Sequence, residues 1–227
     1  MKKSTCILSL LLSAITLSAQ PFESVTYKEF NQNYPPLECV GTVKVFPSGK
    51  VAAERWSVGY ECVDRGYARY SESGAYISQL GVSRARIQSG WARTEQKKGK
   101  YDYAWLDEVV DGIVSQNVKP WMCLGYGNPI YSSEVTLGAK IFTDEPTMKA
   151  WEKYVETTVA RYKDKVGLWE VWNEPNQKVN KDNPTTYTNL LVRTCEAIKR
   201  VDPEAKIAAF ALASVDAAYL SHVLNDL

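Results

Sequence analysis

The stretch Trp169-Glu170-Val171-Trp172-Asn173-Glu174-Pro175-Asn176 gathers the residue types that could do chemistry. An apolar run leads into it and Pro175 closes it, because proline has no N–H to give to a sheet ladder. Asn173 and Glu174 are therefore expected at the C-terminal end of a strand. In a parallel α/β barrel that end is the catalytic face. An apolar, tryptophan-lined surrounding raises the proton affinity of a carboxylic acid, which suits a general acid. An adjacent amide can hydrogen-bond a substrate hydroxyl. Glu170 shares the strand parity of Glu174 and is expected to point inward in a structural ion pair.

Two earlier stretches have the same character. Arg86-Ile87-Gln88-Ser89-Gly90-Trp91 is followed by Thr94-Glu95 and then by Gly99-Lys100-Tyr101-Asp102-Tyr103. Gly125-Tyr126-Gly127-Asn128-Pro129-Ile130-Tyr131 closes another apolar run. Other catalytic chemistries have little material. The single histidine, His222, is expected on a helix surface, and no CxxC occurs, so a zinc site or a Ser-His-Asp triad has almost no material.

The elements that must position these residues alternate. Strand runs are expected at 56–60, 83–88, 121–126, 168–172 and 207–212. Most are short apolar runs rather than alternating ones, as expected of strands buried on both faces. Between them lie helical stripes. Leu106, Val109, Val110 and Ile113 follow Asp102 as N-cap. Met148, Trp151, Val155, Val159 and Tyr162 follow Pro146 in a first turn. Tyr187, Leu190, Leu191, Cys195 and Ile198 follow Asn183-Pro184, and a last stripe runs from Tyr219 to Leu227. Strand–helix repetition with short connections implies a parallel sheet and right-handed crossovers. Ahead of it, Pro47-Ser48-Gly49 predicts the turn of a hairpin between 42–46 and 50–53.

In these three motifs, in this order on consecutive strands, the sequence resembles the clan A retaining glycoside hydrolases of the family 39 or family 5 kind. These are (β/α)8, or TIM, barrels whose hallmark is Asn-Glu at the end of strand four. The resemblance covers about residues 56–215, and it implies a role for each candidate. Glu174 would be the acid/base and Asn173 the contact to the sugar 2-hydroxyl. Arg86 would orient the nucleophile carboxylate; Asn128 belongs to the loop motif after strand three. Trp91, Trp172, Tyr126 and Tyr131 would offer stacking faces to the sugar, although strand-end aromatics serve equally often as core. The other tryptophans, Trp56, Trp105, Trp121, Trp151 and Trp169, are assigned to packing. A carbohydrate is the implied partner, and the reaction needs no metal or organic cofactor. The competing reading is a non-catalytic carbohydrate-binding barrel; the intact Asn173-Glu174 pair speaks against it.

Composition agrees with a folded α/β domain: 45% hydrophobic and 23% charged residues exclude a disordered chain. With 27 basic and 26 acidic residues there is no basic patch for nucleic acid. Lys2, Lys3 and the apolar run from Cys6 to Leu17, ending at Ser18-Ala19, predict a signal peptide over 1–19 and a secreted or periplasmic protein. No later run is long enough to span a membrane. Export permits disulfides. Cys39 could pair with Cys62, while Cys123 and Cys195 are expected to be buried thiols.

The expected organisation is a signal peptide (1–19), a hairpin segment (20–55) and a partial barrel (56–227). The last holds about 170 residues, against about 250 for a whole barrel. A retaining mechanism needs two carboxylates about 5–5.5 Å apart. In the resembled clan the second lies on strand seven. Only 53 residues follow Glu174, enough for a fifth strand, so the chain is expected to be an N-terminal part without the nucleophile.

Overall fold

The apolar runs form five short strands. The computed structural model describes residues 47–50, 56–131, 140–177 and 180–227. The chain divides into units 1–46 and 47–227, and every described residue lies in the second. The strands are β1 (Ser57–Gly59), β2 (Arg84–Gln88), β3 (Lys119–Leu124), β4 (Leu168–Val171) and β5 (Ile207–Ala208). They form one sheet in the order β1-β2-β3-β4-β5, all parallel. This is the α/β arrangement of a (β/α) barrel, with five strands among the described residues.

Register explains which side chains meet. Ala85 and Ile87 of β2, Met122 and Leu124 of β3, and Trp169 and Val171 of β4 are all buried in the hydrophobic core. Their neighbours of opposite parity form rows across the sheet. Gly59 pairs with Arg86 and Arg86 with Trp121; Gln88 pairs with Cys123 and Cys123 with Glu170. Polar side chains thus share one face of the sheet while apolar ones pack the other.

Helices cover the apolar face. They are α1 (Tyr70–Ser73), α2 (Trp91–Thr94), α3 (Ala104–Ser115), α4 (Glu145–Tyr162), α5 (Pro184–Val201) and α6 (Ala217–Asp226). The stripes read from spacing are the buried ones: Leu106, Val109, Val110 and Ile113 on α3, and Met148, Trp151, Val155, Val159 and Tyr162 on α4. Asp144 caps α4 by accepting from the Thr147 N–H at 2.9 Å, with proline in the first turn. Asn183 is the N-cap of α5.

Several expectations are corrected. The N-cap of α3 is Tyr103; Asp102 sits one residue earlier and accepts from the Ala104 N–H. The fifth strand stops at Ala208, short of Leu212, because Phe210 takes a left-handed φ of 65° that leaves extended geometry. Trp56, assigned to packing, is 71% exposed at the N-terminal end of β1. Cys123 is a buried thiol as expected, but Cys195 is only half-buried. Cys62 is a free thiol, and its suggested partner Cys39 lies outside the described residues. Residues 1–46 and 51–55 lie outside as well, and with them the signal peptide and most of the hairpin; Ser48–Lys50 is a 3-10 turn. No helix among the described residues is long and apolar enough to cross a membrane.

Candidate active site

Strand β4 ends where Trp172 and Glu174 take left-handed φ values of 65° and 52°. Such angles are uncommon for residues other than glycine and cost about 1–3 kcal/mol each when surrounding contacts enforce them. Two backbone bonds do so. The Trp172 N–H donates to Leu124 O at 2.9 Å, and the Glu174 N–H donates to Ala211 O at 2.7 Å. Glu174 is thereby held past the C-terminal end of the parallel sheet, half-buried. Gln177 Nε2 donates to its Oε2 at 2.8 Å.

Asn173, between the two strained residues, is locked by both ends of its amide. Its Oδ1 accepts from Arg86 Nη2 at 2.8 Å, and its Nδ2 donates to Tyr126 Oη at 2.7 Å. An arginine has no acceptor, so the amide's orientation is fixed chemically. A second amide meets Tyr126 in the same way. Arg65 Nη2 donates to Gln88 Oε1 at 2.8 Å, and Gln88 Nε2 donates to Tyr126 Oη at 3.2 Å. The Arg65 guanidinium carbon stands 5.5 Å from the Tyr126 ring centroid, a cation–π distance. Burial pushes the Tyr126 phenol upward, and the amide donors only partly offset it.

Arg86 is the hub. Its Nε donates to both oxygens of Glu170, its Nη2 also pairs with Glu170, and its Nη1 donates to Glu61 Oε1 at 2.8 Å. Burial disfavours the guanidinium charge, but the Glu170 and Glu61 bonds outweigh it and raise the pKa. Glu170 is 2% exposed, a buried carboxylate stable only because it is paired and hydrogen-bonded. Its inward, ion-paired placement agrees with the parity argument.

A second cluster lies beside this one. The Glu95 carboxylate is buried and accepts from Trp91 Nε1 at 2.6 Å, Tyr131 Oη at 2.5 Å and the Gly99 N–H at 2.6 Å. Asn128 Nδ2 donates to Glu95 O at 2.8 Å, and its Oδ1 accepts from the Ile130 N–H at 3.1 Å. The Trp91 ring stacks between Tyr131 and Tyr154, at centroid distances of 5.2 and 5.6 Å. Gly90, at φ 62°, opens the turn into α2; a Cβ there would lie 2.9 Å from both Asp64 Cβ and the Trp105 ring.

The structure brings Arg86, Tyr126 and Asn173 together beside Glu174. It does not bring Trp91, Asn128, Trp172 or the ring of Tyr126 to an open surface; Tyr126 is 6% exposed and packs edge-on against Trp172. Trp91 is 0% exposed, Asn128 1% and Trp172 1%. Their expected substrate contacts are corrected: Trp91 and Trp172 pack with Phe142 and Trp151, and Asn128 holds backbone. Tyr131 is half-buried and spends its hydroxyl on Glu95. Sequence reasoning missed Glu61 and Arg65, in the segment after β1, and Gln88, the last residue of β2. The one available signal was parity, since Gln88 lies two residues beyond Arg86. Asp216, the other acid near this end of the sheet, caps α6 by accepting from the Tyr219 N–H.

The model of glycosyl hydrolases family 39 matches residues 68–225. An aryl-phospho-β-D-glucosidase of Bacillus subtilis is 26% identical over 151 residues, 63% of this chain and 31% of its own length. A β-xylosidase of Geobacillus stearothermophilus is 28% identical over 130 residues, 52% of this chain and 26% of its own. The chain thus spans about a third or less of these relatives. Among solved structures, a family 39 glycoside hydrolase from Bacteroides cellulosilyticus WH2 superposes with a TM-score of 0.54 at 24% identity, over 68% of this chain and 31% of that one. A monomeric β-xylosidase from Caulobacter crescentus CB15 gives 0.57 at 23% identity, over 75% and 39%. These two similarities establish the fold.

Proposed function

Because the chain belongs to glycosyl hydrolases family 39 over residues 68–225, we propose that it supplies the acid/base side of a retaining glycosidase site. The reaction is hydrolysis of the O-glycosyl bond in β-linked glycosides or polysaccharide fragments. The observation that carries this reading is Glu174: a half-buried carboxylate held in a left-handed conformation past β4, next to a chemically oriented Asn173.

In the first step Glu174 gives its proton to the leaving oxygen while a second carboxylate attacks the anomeric carbon. In the second, ionised Glu174 takes a proton from the water that displaces the enzyme. The second carboxylate is assigned, from the resemblance, to a strand beyond the five described. Donor counting supports the supporting roles. Arginine has five N–H groups. Glu170, Asn173 and Glu61 engage four of those of Arg86, which leaves one on Nη1 to hold the nucleophile. The Asn173 amide has two N–H groups and gives one to Tyr126, which leaves one for a sugar hydroxyl. Lys2, Lys3 and the apolar run behind them support an exported enzyme.

The test is made in the full-length enzyme. Glu174→Ala is expected to lower turnover of substrates with poor leaving groups by about 10²–10⁴-fold. It should spare glycosylation of activated aryl glycosides, and azide should restore part of the lost turnover. Absence of azide rescue removes Glu174 from the acid/base role.

A further inference from the structure

Of the aromatic faces expected to bind sugar, Trp91, Trp172 and Tyr126 are buried and Tyr131 is half-buried, yet one aromatic ring at this end of the sheet is open. Tyr67 is 82% exposed and lies in the turn that follows β1, at the C-terminal end of the strands, as Glu174 does. Among the described residues Trp56 is the other mostly exposed aromatic, and it precedes β1 at the opposite end.

The turn that carries Tyr67 is built rather than loose. The Gly66 N–H donates to Val63 O at 3.3 Å, and the Tyr67 N–H donates to Cys62 O at 3.1 Å. Cys62 and Gly66 both have φ of 72°. Arg65 ties the turn to the site. Its guanidinium stands 6.0 Å from the Tyr67 centroid and 5.5 Å from that of Tyr126, and it donates to Gln88. Asp64, nearly inaccessible, pairs with Arg65 Nε at 3.4 Å. The guanidinium lies beside the Tyr67 ring and leaves most of it toward solvent. An unbroken set of contacts then runs from Tyr67 through Arg65, Gln88 and Tyr126 to Asn173.

We propose that Tyr67, oriented by Arg65, is a stacking platform for a pyranose unit of the substrate. The apolar C–H face of such a ring packs on an aromatic face as other apolar surface does. A tyrosine side chain has few rotatable bonds, so it loses little freedom on binding. This inference rests on the glycosidase reading of Glu174, and the two can fail separately.

The experiment is a titration of the 227-residue chain with xylotriose, followed through side-chain NMR signals of Tyr67, Asn173 and Glu174. Tyr67 is expected to shift on binding. Tyr67→Ala, harmless to folding at so exposed a position, should weaken the affinity about fivefold, and Tyr67→Trp should return it to within about twofold. Shifts at Asn173 and Glu174 with none at Tyr67 overturn the platform and leave the glycosidase reading standing. Shifts at Tyr67 with none at Asn173 or Glu174 keep the platform and remove the acid/base assignment. Undiminished affinity in Tyr67→Ala, or no shift at any of the three, also overturns the platform.

Discussion

Two neighbouring clusters at the C-terminal ends of β2–β4 use the same residue types to opposite ends. Around Arg86, an asparagine, a tyrosine and two glutamates form a network with donor capacity left over. Around Glu95, a tyrosine, a tryptophan and a backbone N–H close on one carboxylate, while an asparagine donates to the same residue's backbone carbonyl. The first faces the polar side of the sheet and keeps N–H groups for a ligand. The second joins the loop after β2 to the loop after β3 and has no exposed tryptophan face. Residue type at a strand end therefore does not separate a ligand contact from a structural brace. The balance of donors and acceptors does.

The largest effect that can break this contrast is in the brace. Trp91→Ala removes a fully buried ring and is expected to cost about 3–5 kcal/mol of stability, measured by denaturant unfolding. A loss below about 1 kcal/mol, with sugar affinity reduced, would make Trp91 a ligand face and erase the distinction. Next comes Tyr126→Phe, which takes the common acceptor from the Gln88 and Asn173 amides. Each amide N–H then lacks its partner, so a cost of about 1–3 kcal/mol is expected. In the full-length enzyme kcat should fall more than KM rises, because Asn173 loses its fixed orientation. A rise in KM with kcat unchanged would place Tyr126 in plain substrate binding.

The smallest effect is a pH signature of the brace. Burial, and then the nearby Glu95 carboxylate, pushes the Tyr101 phenol from 10.0 to about 12, and the same two causes raise Tyr131. Phenols of the unfolded chain ionise first, so this contribution is whole below about pH 10 and is lost as pH rises through about 12. Stability should therefore decline across that window, with tyrosinate absorbance rising together with unfolding. Tyrosinate forming well before unfolding would show that the brace is wetter than its packing implies.

Much of the fold was legible because local signals agreed with one another. The apolar runs before Leu124 and Val171, short and bounded by turn signals, fit buried strands, and Pro175 marks where the fourth must stop. Asn173-Glu174 was legible for the same reason. Which aromatics face solvent was not. Trp91 and Tyr67 both follow strands, and only contacts distant in sequence, such as Tyr154 and Trp151 on α4, bury the first. Glu61 was hidden because its partner, Arg86, lies 25 residues away with no spacing rule to join them. The early end of β5 depends on the backbone angle at Phe210, and an apolar run continues across it.

The strand order has a consequence for how this sheet is made. Each strand pairs with the one synthesised before it, so a chain leaving the ribosome can extend the sheet from one edge without waiting for distant sequence. The Arg86–Glu170 pair is the exception. Arg86 is in place once β2 has formed, but its buried counter-charge arrives only with β4, and β3 lies between them. Until then the guanidinium has Glu61 alone for a carboxylate partner in the network. During synthesis the arrival of Glu170 completes the hub, and the residue that does so stands four positions ahead of Glu174.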